Sequence, residues 1–154
     1  MNDAYIELQH IWFEIQARRW QSIERFLFPY YAYTHQQTTK NNKPCWETMK
    51  RNAPLSTKCA ARDSGRLVPL IPNDCIVGRI KSQSKQGLLE TKDALKQLLD
   101  SLQGYVVIRE EEFRQLKNAG LLNAMPKEWY LGTMQSNIAR LDAVGIQLDE
   151  KKPL

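Results

Sequence analysis

The segment GYVVIREEEFRQLKNAG (residues 104–120) decides the fold class, because it joins a strand pattern directly to a helix pattern. Its first part, YVVI, is a run of aromatic and β-branched residues, which are favoured in strands. The three glutamates that follow suit the first turn of a helix, where the helix dipole favours acidic side chains. Gly120 suits the position just after a helix end. The segment predicts a strand over residues 105–108, a helix directly after it, and a protein of the α+β class.

The N-terminal region carries the longest helix pattern of the chain. Over residues 4–28, apolar side chains recur at the helical period and cover one broad face. Pro29 should end this helix, because the residue before a proline avoids the helical conformation.

Two more helix patterns flank the opening segment, so about four main helices are expected in a mostly helical α+β fold. Residues 87–103 carry a row of leucines, and Gly104 should stop that helix. Residues 126–143 begin at a proline, which is favoured at helix starts, and end before Gly145. The inner row of this last helix should consist of Leu131, Met134, Ile138 and Leu141.

The middle of the chain, residues 33–75, lacks any sustained period and is predicted to be a long irregular insert. Within it, residues 46–51 suit a short helix and residues 66–71 suit an extended segment. Residues 75–80 read as a short strand that pairs with residues 105–108 in a two- or three-stranded sheet. A loop of this length in a compact domain is usually functional or disordered.

The length of 154 residues predicts one domain, residues 1–154. In this interpretation residues 4–28 and 87–143 form a helical scaffold, and residues 33–75 form the insert that meets a partner.

Positive charge is concentrated in the middle of the chain. The formal net charge is +5, yet residues 33–85 alone carry +7, while residues 1–32 and 86–154 carry −1 each. Such an asymmetry is typical of a protein with an anionic partner.

The charged region predicts a non-enzymatic nucleic-acid-binding protein or an accessory protein of a nucleoprotein complex. Lysine and arginine neutralise phosphates and release counterions, and an exposed tryptophan can stack on unpaired bases. RNA or single-stranded DNA is slightly favoured, because no clear recognition helix is present. The candidate binding residues are Lys40, Lys43, Trp46, Lys50, Arg51, Lys58, Arg62, Arg66, Arg79 and Lys81.

A protein-interaction subunit of a larger assembly, without direct contact to nucleic acid, is the alternative. An extended arm can become ordered only against its neighbours, and aromatic side chains are common anchors of such contacts. The candidate anchors are Phe28, Tyr30, Tyr31 and Tyr33.

A metal-dependent nuclease is the third hypothesis. Asp74, followed at a distance by Glu90 and Lys92, forms a loose version of a pattern in which two carboxylates hold a metal and a lysine stabilises the attacked phosphate. Glu90 and Lys92 fall at the start of a predicted helix, where residues two apart point in different directions.

A zinc site is disfavoured because its possible ligands are not closely paired. These possible ligands are His35, Cys45, Cys59 and Cys75. We therefore predict no catalytic residues, no metal and no cofactor.

One local resemblance adds to this reading. The stretch GYVVIREEEFRQL resembles the strand-then-helix edge of many small prokaryotic DNA-associated proteins, including antitoxins. The resemblance covers about a dozen residues, and no functional residue is carried over from it.

The sequence predicts a cytoplasmic protein without a membrane partner. No apolar run approaches the roughly 18 residues of a membrane span. Acidic residues stand near the N-terminus, where a signal peptide would carry positive charge. Three cysteines at unrelated spacings fit reduced thiols better than a disulfide framework.

Overall fold

The computed structural model describes residues 2–132 and 135–149, and it is mostly helical with one small antiparallel sheet, which confirms the α+β class. Five helices in this part of the chain have nine residues or more, where the sequence predicted about four main helices. The described elements are, in chain order, α1 (Asp3–Gln16), α2 (Glu24–Thr34), α3 (Trp46–Asn52), β1 (Arg66–Pro69), α4 (Asn73–Lys85), α5 (Lys92–Leu102), β2 (Tyr105–Ile108), α6 (Glu110–Asn118), α7 (Lys127–Tyr130) and α8 (Ala139–Ala143), with single 3-10 turns at Trp20–Ser22 and Arg62–Ser64.

The described chain forms two compact units, each built from two separate stretches of sequence. Unit 1 contains the described residues up to Cys45 together with Asn73–Leu102, and it holds helices α1, α2, α4 and α5. Unit 2 contains Trp46–Pro72 together with the described residues from Gln103 onwards, and it holds both strands and the other helices. The middle region that the sequence assigned to an irregular insert therefore contributes α3, β1 and the first residues of α4 to these units.

The single helix predicted over residues 4–28 is wrong, because the chain bends there between two helices. Helix α1 ends before Arg18, which has a φ of 57° that an α-helix cannot continue. Glu14 holds the bend together. Its carbonyl accepts the backbone N–H of Arg19 at 2.9 Å, and its carboxylate lies 3.5 Å from Arg19 Nε and 3.4 Å from Arg25 Nη2. Apolar spacing continues across the bend, so the periodicity gave no sign of it.

Pro29 lies inside helix α2, although the sequence predicted that it would end a helix. A proline within a helix removes one hydrogen bond and costs about 3 kcal/mol. Tyr30, Tyr31 and Ala32 follow directly and are buried in unit 1. Burying a large apolar side chain contributes about 1.5–3 kcal/mol, so the two tyrosines together offset the cost of the proline.

The strand predicted over residues 75–80 is also wrong, since these residues lie within helix α4. Ile76 and Ile80 are four residues apart and both are buried, as expected for one face of a helix. A short apolar run rich in β-branched residues fits a buried helix as well as a strand. The local pattern therefore allowed either a helix or a strand, and the packing of unit 1 favours the helix.

Helix α5 begins at Lys92, five residues later than the sequence predicted. Gly87 has a φ of 74°, and its N–H donates to the carbonyl of Ser84 at 3.1 Å, so this glycine ends α4 and does not open α5. The buried row of α5 consists of Leu95, Leu98, Leu99 and Leu102.

The sheet pairs β1 with β2 in antiparallel register, with Arg66 opposite Ile108 and Pro69 opposite Tyr105. The extended segment predicted over residues 66–71 is confirmed over its first four residues, and it replaces residues 75–80 as the partner of β2. Pro69 is tolerated because it lies at the end of an edge strand, where no neighbouring strand needs its missing N–H.

Strand β2 is hydrogen-bonded along its other edge as well. The N–H of Val107 donates to the carbonyl of Pro54, and the carbonyl of Val107 accepts the N–H of Ser56, both at 2.9 Å. The hydroxyl of Ser56 donates to Glu112 Oε1 at 2.7 Å, and the same oxygen accepts the N–H of Arg109 at 2.9 Å. This buried carboxylate thus joins the start of α6 to the segment that covers β2.

Helix α6 follows β2 as predicted, and Gly120, with a φ of 73°, lies just past its end. The single helix predicted over residues 126–143 is wrong, because α7 and α8 are short and separate. Gly132 has a φ of 78°, which explains why α7 does not continue. Met134, assigned by the sequence to the inner row, lies outside the described residues. Gly145, with a φ of 77°, lies just past the end of α8 as predicted.

The core of unit 2 surrounds one buried arginine. Arg140 is 2% exposed, and its guanidinium donates to the carbonyls of Leu70 at 3.0 Å, Leu121 at 2.9 Å and Leu122 at 3.0 Å, and also to that of Pro69. One side chain thereby joins the end of β1, the loop after α6 and helix α8. The apolar side chains packed together in this core are Val68, Val106, Ile108, Leu116, Leu141 and Ile146.

Among the described helices, none combines the length and the apolar character that are needed to cross a membrane.

Candidate functional site

The ten candidate residues divide between the two units. Lys40, Lys43, Arg79 and Lys81 belong to unit 1. The other six belong to unit 2, and they are Trp46, Lys50, Arg51, Lys58, Arg62 and Arg66.

Three of the unit 2 candidates line one surface cleft of about 350 Å³ at the end of helix α3. They are Lys50, Arg51 and Arg62, and the cleft is completed by Glu47 and Asp63. Three cations therefore face two carboxylates, which leaves an excess of one positive charge. We name this surface the α3 cleft.

Arg62 also has a structural role in the α3 cleft. Its Nη1 donates to the carbonyl of Lys50 at 3.2 Å and to the carbonyl of Ala53. The last carbonyls of a helix have no partner within the helix, so this arginine completes the end of α3. Lys50 contributes in return, since its Nζ donates to the carbonyl of Asp63 at 3.3 Å. Arg51 is exposed beside them.

Trp46 opens helix α3 and is 53% exposed, which is unusual for so large an apolar side chain. Its ring meets Tyr105 edge-on, at 5.8 Å between centroids and 81° between planes. Lys50 follows four residues later, so the indole and the ammonium share one face of the helix. An exposed aromatic ring next to cations is the combination used by proteins that bind single strands.

The remaining unit 2 candidates, Lys58 and Arg66, do not line the α3 cleft. Arg66 Nε lies 2.9 Å from Glu110 Oε1, and the guanidinium stacks over the ring of Phe113 at 4.0 Å from its centroid. Lys58 is exposed.

The unit 1 candidates occupy two different elements. Lys40 and Lys43 are exposed in a tight turn, in which the N–H of Thr39 donates to the carbonyl of Lys43 at 2.8 Å. Arg79 and Lys81 are half-buried on helix α4.

The anchors that the sequence predicted for a protein partner are largely internal. Tyr30 and Tyr31 are buried, and the hydroxyl of Tyr30 donates to Asp100 Oδ1 at 2.9 Å. Phe28 and Tyr33 are half-buried. Tyr30 and Tyr31 therefore stabilise unit 1 instead of offering a contact surface.

The residues of the nuclease and zinc hypotheses are placed as follows. Asp74 lies in the first turn of α4, and Glu90 precedes α5. Lys92 Nζ donates to the hydroxyl of Tyr5 at 3.3 Å.

Within residues 2–132 and 135–149, no group of three or more histidine, cysteine, aspartate or glutamate side chains could hold a metal ion. Cys45, Cys59 and Cys75 lie outside any disulfide bond, and the last two are buried.

Sequence reasoning missed a pocket of about 430 Å³ in unit 1. Its walls come from the start of α1, the end of α2, the turn that follows, and α5, so residues that are distant in sequence share it. The sequence singled out Tyr33 only as an aromatic anchor, and no spacing rule links it to the other lining residues. The lining side chains include Asp3, Tyr5, Tyr30, Tyr33, Asn42 and Lys96.

Comparison with known proteins gives no relative: no protein-family model matches the chain, and no curated protein and no solved structure shows significant similarity to it.

Proposed function

We propose that this protein is a non-enzymatic nucleic-acid-binding protein, or an accessory protein of a nucleoprotein complex, that binds single strands. The region 33–85 supplies the contacts to phosphates, with the α3 cleft at their centre. One observation carries the proposal: Lys50, Arg51 and Arg62 line one cleft, and the exposed ring of Trp46 lies one helical turn before Lys50.

The chemistry of the α3 cleft supports this proposal. The two basic side chains of α3 can neutralise phosphates, and each contact releases counterions. Arg62 adds positive charge from a fixed position, because backbone carbonyls hold its guanidinium. Glu47 and Asp63 in the same cleft lower its net charge, which favours modest affinity.

The exposed face of Trp46 favours single strands over duplexes. A base that is paired and stacked within a duplex offers no free face, whereas an unpaired base can stack on the indole. Such stacking is worth about 1–3 kcal/mol per base. RNA and single-stranded DNA both provide this geometry.

The test is a fluorescence anisotropy titration of the full chain with a labelled oligouridylate, at several salt concentrations. The double variant Lys50→Gln/Arg51→Gln should weaken binding and reduce the log–log salt slope by roughly 0.7 for each lost phosphate contact on a single strand. Trp46→Ala should weaken binding to single strands much more than binding to duplex. Arg62 is left intact because its loss would also disturb the end of α3.

The matched control is Lys117→Gln/Lys127→Gln, which removes two exposed cations from other helices of unit 2. This variant has the same net charge as the test variant and should keep most of the affinity. The proposal fails if the wild-type chain at micromolar concentration leaves the anisotropy unchanged at low salt, or if the control weakens binding as much as the test variant.

A protein-interaction subunit without nucleic-acid contact is the second candidate, and helix α1 supplies the observation that favours it. Ile6 is 38% exposed and Phe13 is 64% exposed. The two residues are seven apart, so they lie within about 20° of each other around the helix. This hypothesis predicts that Phe13→Asp abolishes capture of a protein partner while the α3 cleft variants have no effect on it.

A metal-dependent nuclease that uses Asp74, Glu90 and Lys92 ranks third, since Lys92 already bonds to Tyr5. The proposal includes a cytoplasmic location, with which three cysteines outside disulfide bonds agree.

A further inference from the structure

The unit 1 pocket has the size and the rigidity of a small-molecule site. Its volume of about 430 Å³ lies within the range of roughly 300–1,000 Å³ that is typical of ligand pockets. Hydrogen bonds hold its walls: Asn42 Nδ2 donates to Asp3 Oδ2 at 2.5 Å, and the N–H of Tyr5 donates to Asn2 Oδ1 at 2.7 Å. The site is therefore formed before any ligand arrives.

Among the side chains that line this pocket, one carboxylate has no cationic partner. Two side chains that line the pocket are normally charged at neutral pH, namely Asp3 and Lys96. Lys96 Nζ lies 2.5 Å from Asp100 Oδ2, so a neighbouring carboxylate neutralises it. The charge of Asp3 is then left uncompensated among these groups. Burial is the main cause that raises the pKa of Tyr33, and the carboxylates of Asp3 and Glu7 add to it.

Tyrosine rings form much of the remaining wall, and one of them already attracts an ammonium group. Lys92 Nζ lies 5.5 Å from the ring centroid of Tyr5. The negative face of an aromatic ring attracts cations at such distances, and the attraction grows where water is excluded. Tyr33, which is half-buried, adds a second ring to the same pocket, whereas Tyr30 lines it as a buried side chain.

The geometry points to a binding site for a small organic cation with an alkylated ammonium head group. Asp3 supplies the compensating charge, and Tyr5 and Tyr33 supply aromatic contacts. An inorganic cation is a poor fit, because calcium takes six to eight oxygen ligands and magnesium prefers octahedral oxygen coordination, whereas Asp3 is the one uncompensated carboxylate that lines the pocket. This site lies in unit 1 and does not use the α3 cleft, which lies in unit 2.

The test is a nuclear magnetic resonance titration of the full ¹⁵N-labelled chain with tetramethylammonium chloride. The amide signals of Ala4, Gln36 and Asn42, which line the pocket, should shift and saturate. Sodium chloride controls for ionic strength, and tert-butanol controls for shape because it is a neutral molecule of similar form. Neither control should shift these signals in the same saturable way.

Three variants separate the contributions of charge and ring. Asp3→Asn should weaken tetramethylammonium binding about tenfold, which corresponds to 1.4 kcal/mol. Tyr33→Phe keeps the ring and should bind nearly as well as the wild type, whereas Tyr33→Leu should bind clearly more weakly. Circular dichroism confirms that each variant is folded.

The inference is overturned if tetramethylammonium leaves the pocket amides unshifted, if tert-butanol binds equally well, or if Asp3→Asn binds like the wild type. If Tyr33→Leu does not fold, the comparison of Asp3→Asn with the wild type still tests the inference.

Discussion

At the scale of single residues, Arg140 is the clearest case of a polar group that stabilises the fold. It is almost fully buried in unit 2 and donates to four backbone carbonyls. A buried carbonyl that loses its donor costs about 1–3 kcal/mol. The sequence placed this arginine within a predicted helix and gave no sign that it would be internal.

Replacing Arg140 with Met should therefore lower the free energy of unfolding by at least about 3 kcal/mol, because the aliphatic length is kept while every donor is lost. Urea denaturation followed by circular dichroism measures this change. The control is Arg114→Met, which alters an exposed arginine on α6 in the same unit. Equal stability losses in the two variants would contradict a central role for Arg140.

Tyr31 should make the stability of unit 1 depend on pH in the alkaline range. Burial raises the pKa of its hydroxyl from 10.0 to about 12. The folded state thus favours the protonated form, so the stabilisation is fully present below the unfolded pKa and is lost as the pH rises from about 10 through about 12.

The variant Tyr31→Phe removes the ionisable hydroxyl and so isolates its contribution. Urea unfolding of both proteins from about pH 8 to about pH 11.5 should show the wild type losing stability relative to the variant above pH 10. If the free energies of unfolding of the two proteins change in parallel over this range, the hydroxyl of Tyr31 is not buried as described.

The candidate site could be predicted from the sequence only in part at this scale. Positive charge and an aromatic residue in the middle region were visible in composition, and Lys50, Arg51 and Trp46 lie close together along α3. Composition could not show that Arg66 pairs with Glu110 and stacks on Phe113. Those engagements depend on neighbours that are distant in sequence.

At the scale of elements, the sequence predicted a strand or helix correctly where particular residue types mark its start and its end. The strand over residues 105–108 and the helix after it were predicted correctly, because a β-branched run, acidic residues and a terminal glycine follow one another. The helix over residues 126–143 was predicted wrongly, since its apolar spacing continues through Gly132, where the backbone turns left-handed. Periodicity shows which faces are buried and not whether a helix is unbroken.

Helix α4, which the sequence assigned to a strand, can be tested at Gly78. This glycine is exposed in the middle of the helix, and a Cβ added there would meet no other atom within 4 Å. Gly78→Ala should stabilise the protein by about 0.5–1 kcal/mol, because alanine loses less backbone entropy than glycine in a helix.

Gly78→Val provides the matched comparison in thermal unfolding. In a helix the alanine variant should be the more stable of the two, since valine loses side-chain freedom against the preceding turn. In a strand valine would be the better residue. A valine variant that melts above the alanine variant would overturn the assignment of α4.

At the scale of the whole molecule, the main feature is that both units are discontinuous in sequence. The sequence predicts one domain over residues 1–154 with a basic insert at residues 33–75, and this stays a prediction. Which distant segments pack together could not be read from the sequence. The charge of the middle region is in fact shared by both units, with Lys40 and Lys43 in one and Lys50 and Arg51 in the other.

Discontinuity predicts that neither half of the chain folds alone. A fragment of residues 1–72 lacks α4 and α5 of unit 1 and lacks β2, the partner of β1. Fragments 1–72 and 73–154 should each melt without a cooperative transition, whereas the full chain should melt cooperatively. Calorimetry of the three proteins makes the comparison, and a cooperative transition in either fragment would contradict the division into units.

The same chain order has a consequence for synthesis on the ribosome. Translation proceeds from the N-terminus, so α3 and β1 emerge before α4 and α5, although the latter are needed to complete unit 1. During that interval β1 has no β2 to pair with, and its open edge could template pairing with another nascent chain. Unit 1 can close once α5 has emerged, and unit 2 must wait for the segments that follow. Slow elongation between residues 66 and 105 should therefore favour aggregation of this protein, and binding of a chaperone to that stretch should suppress it.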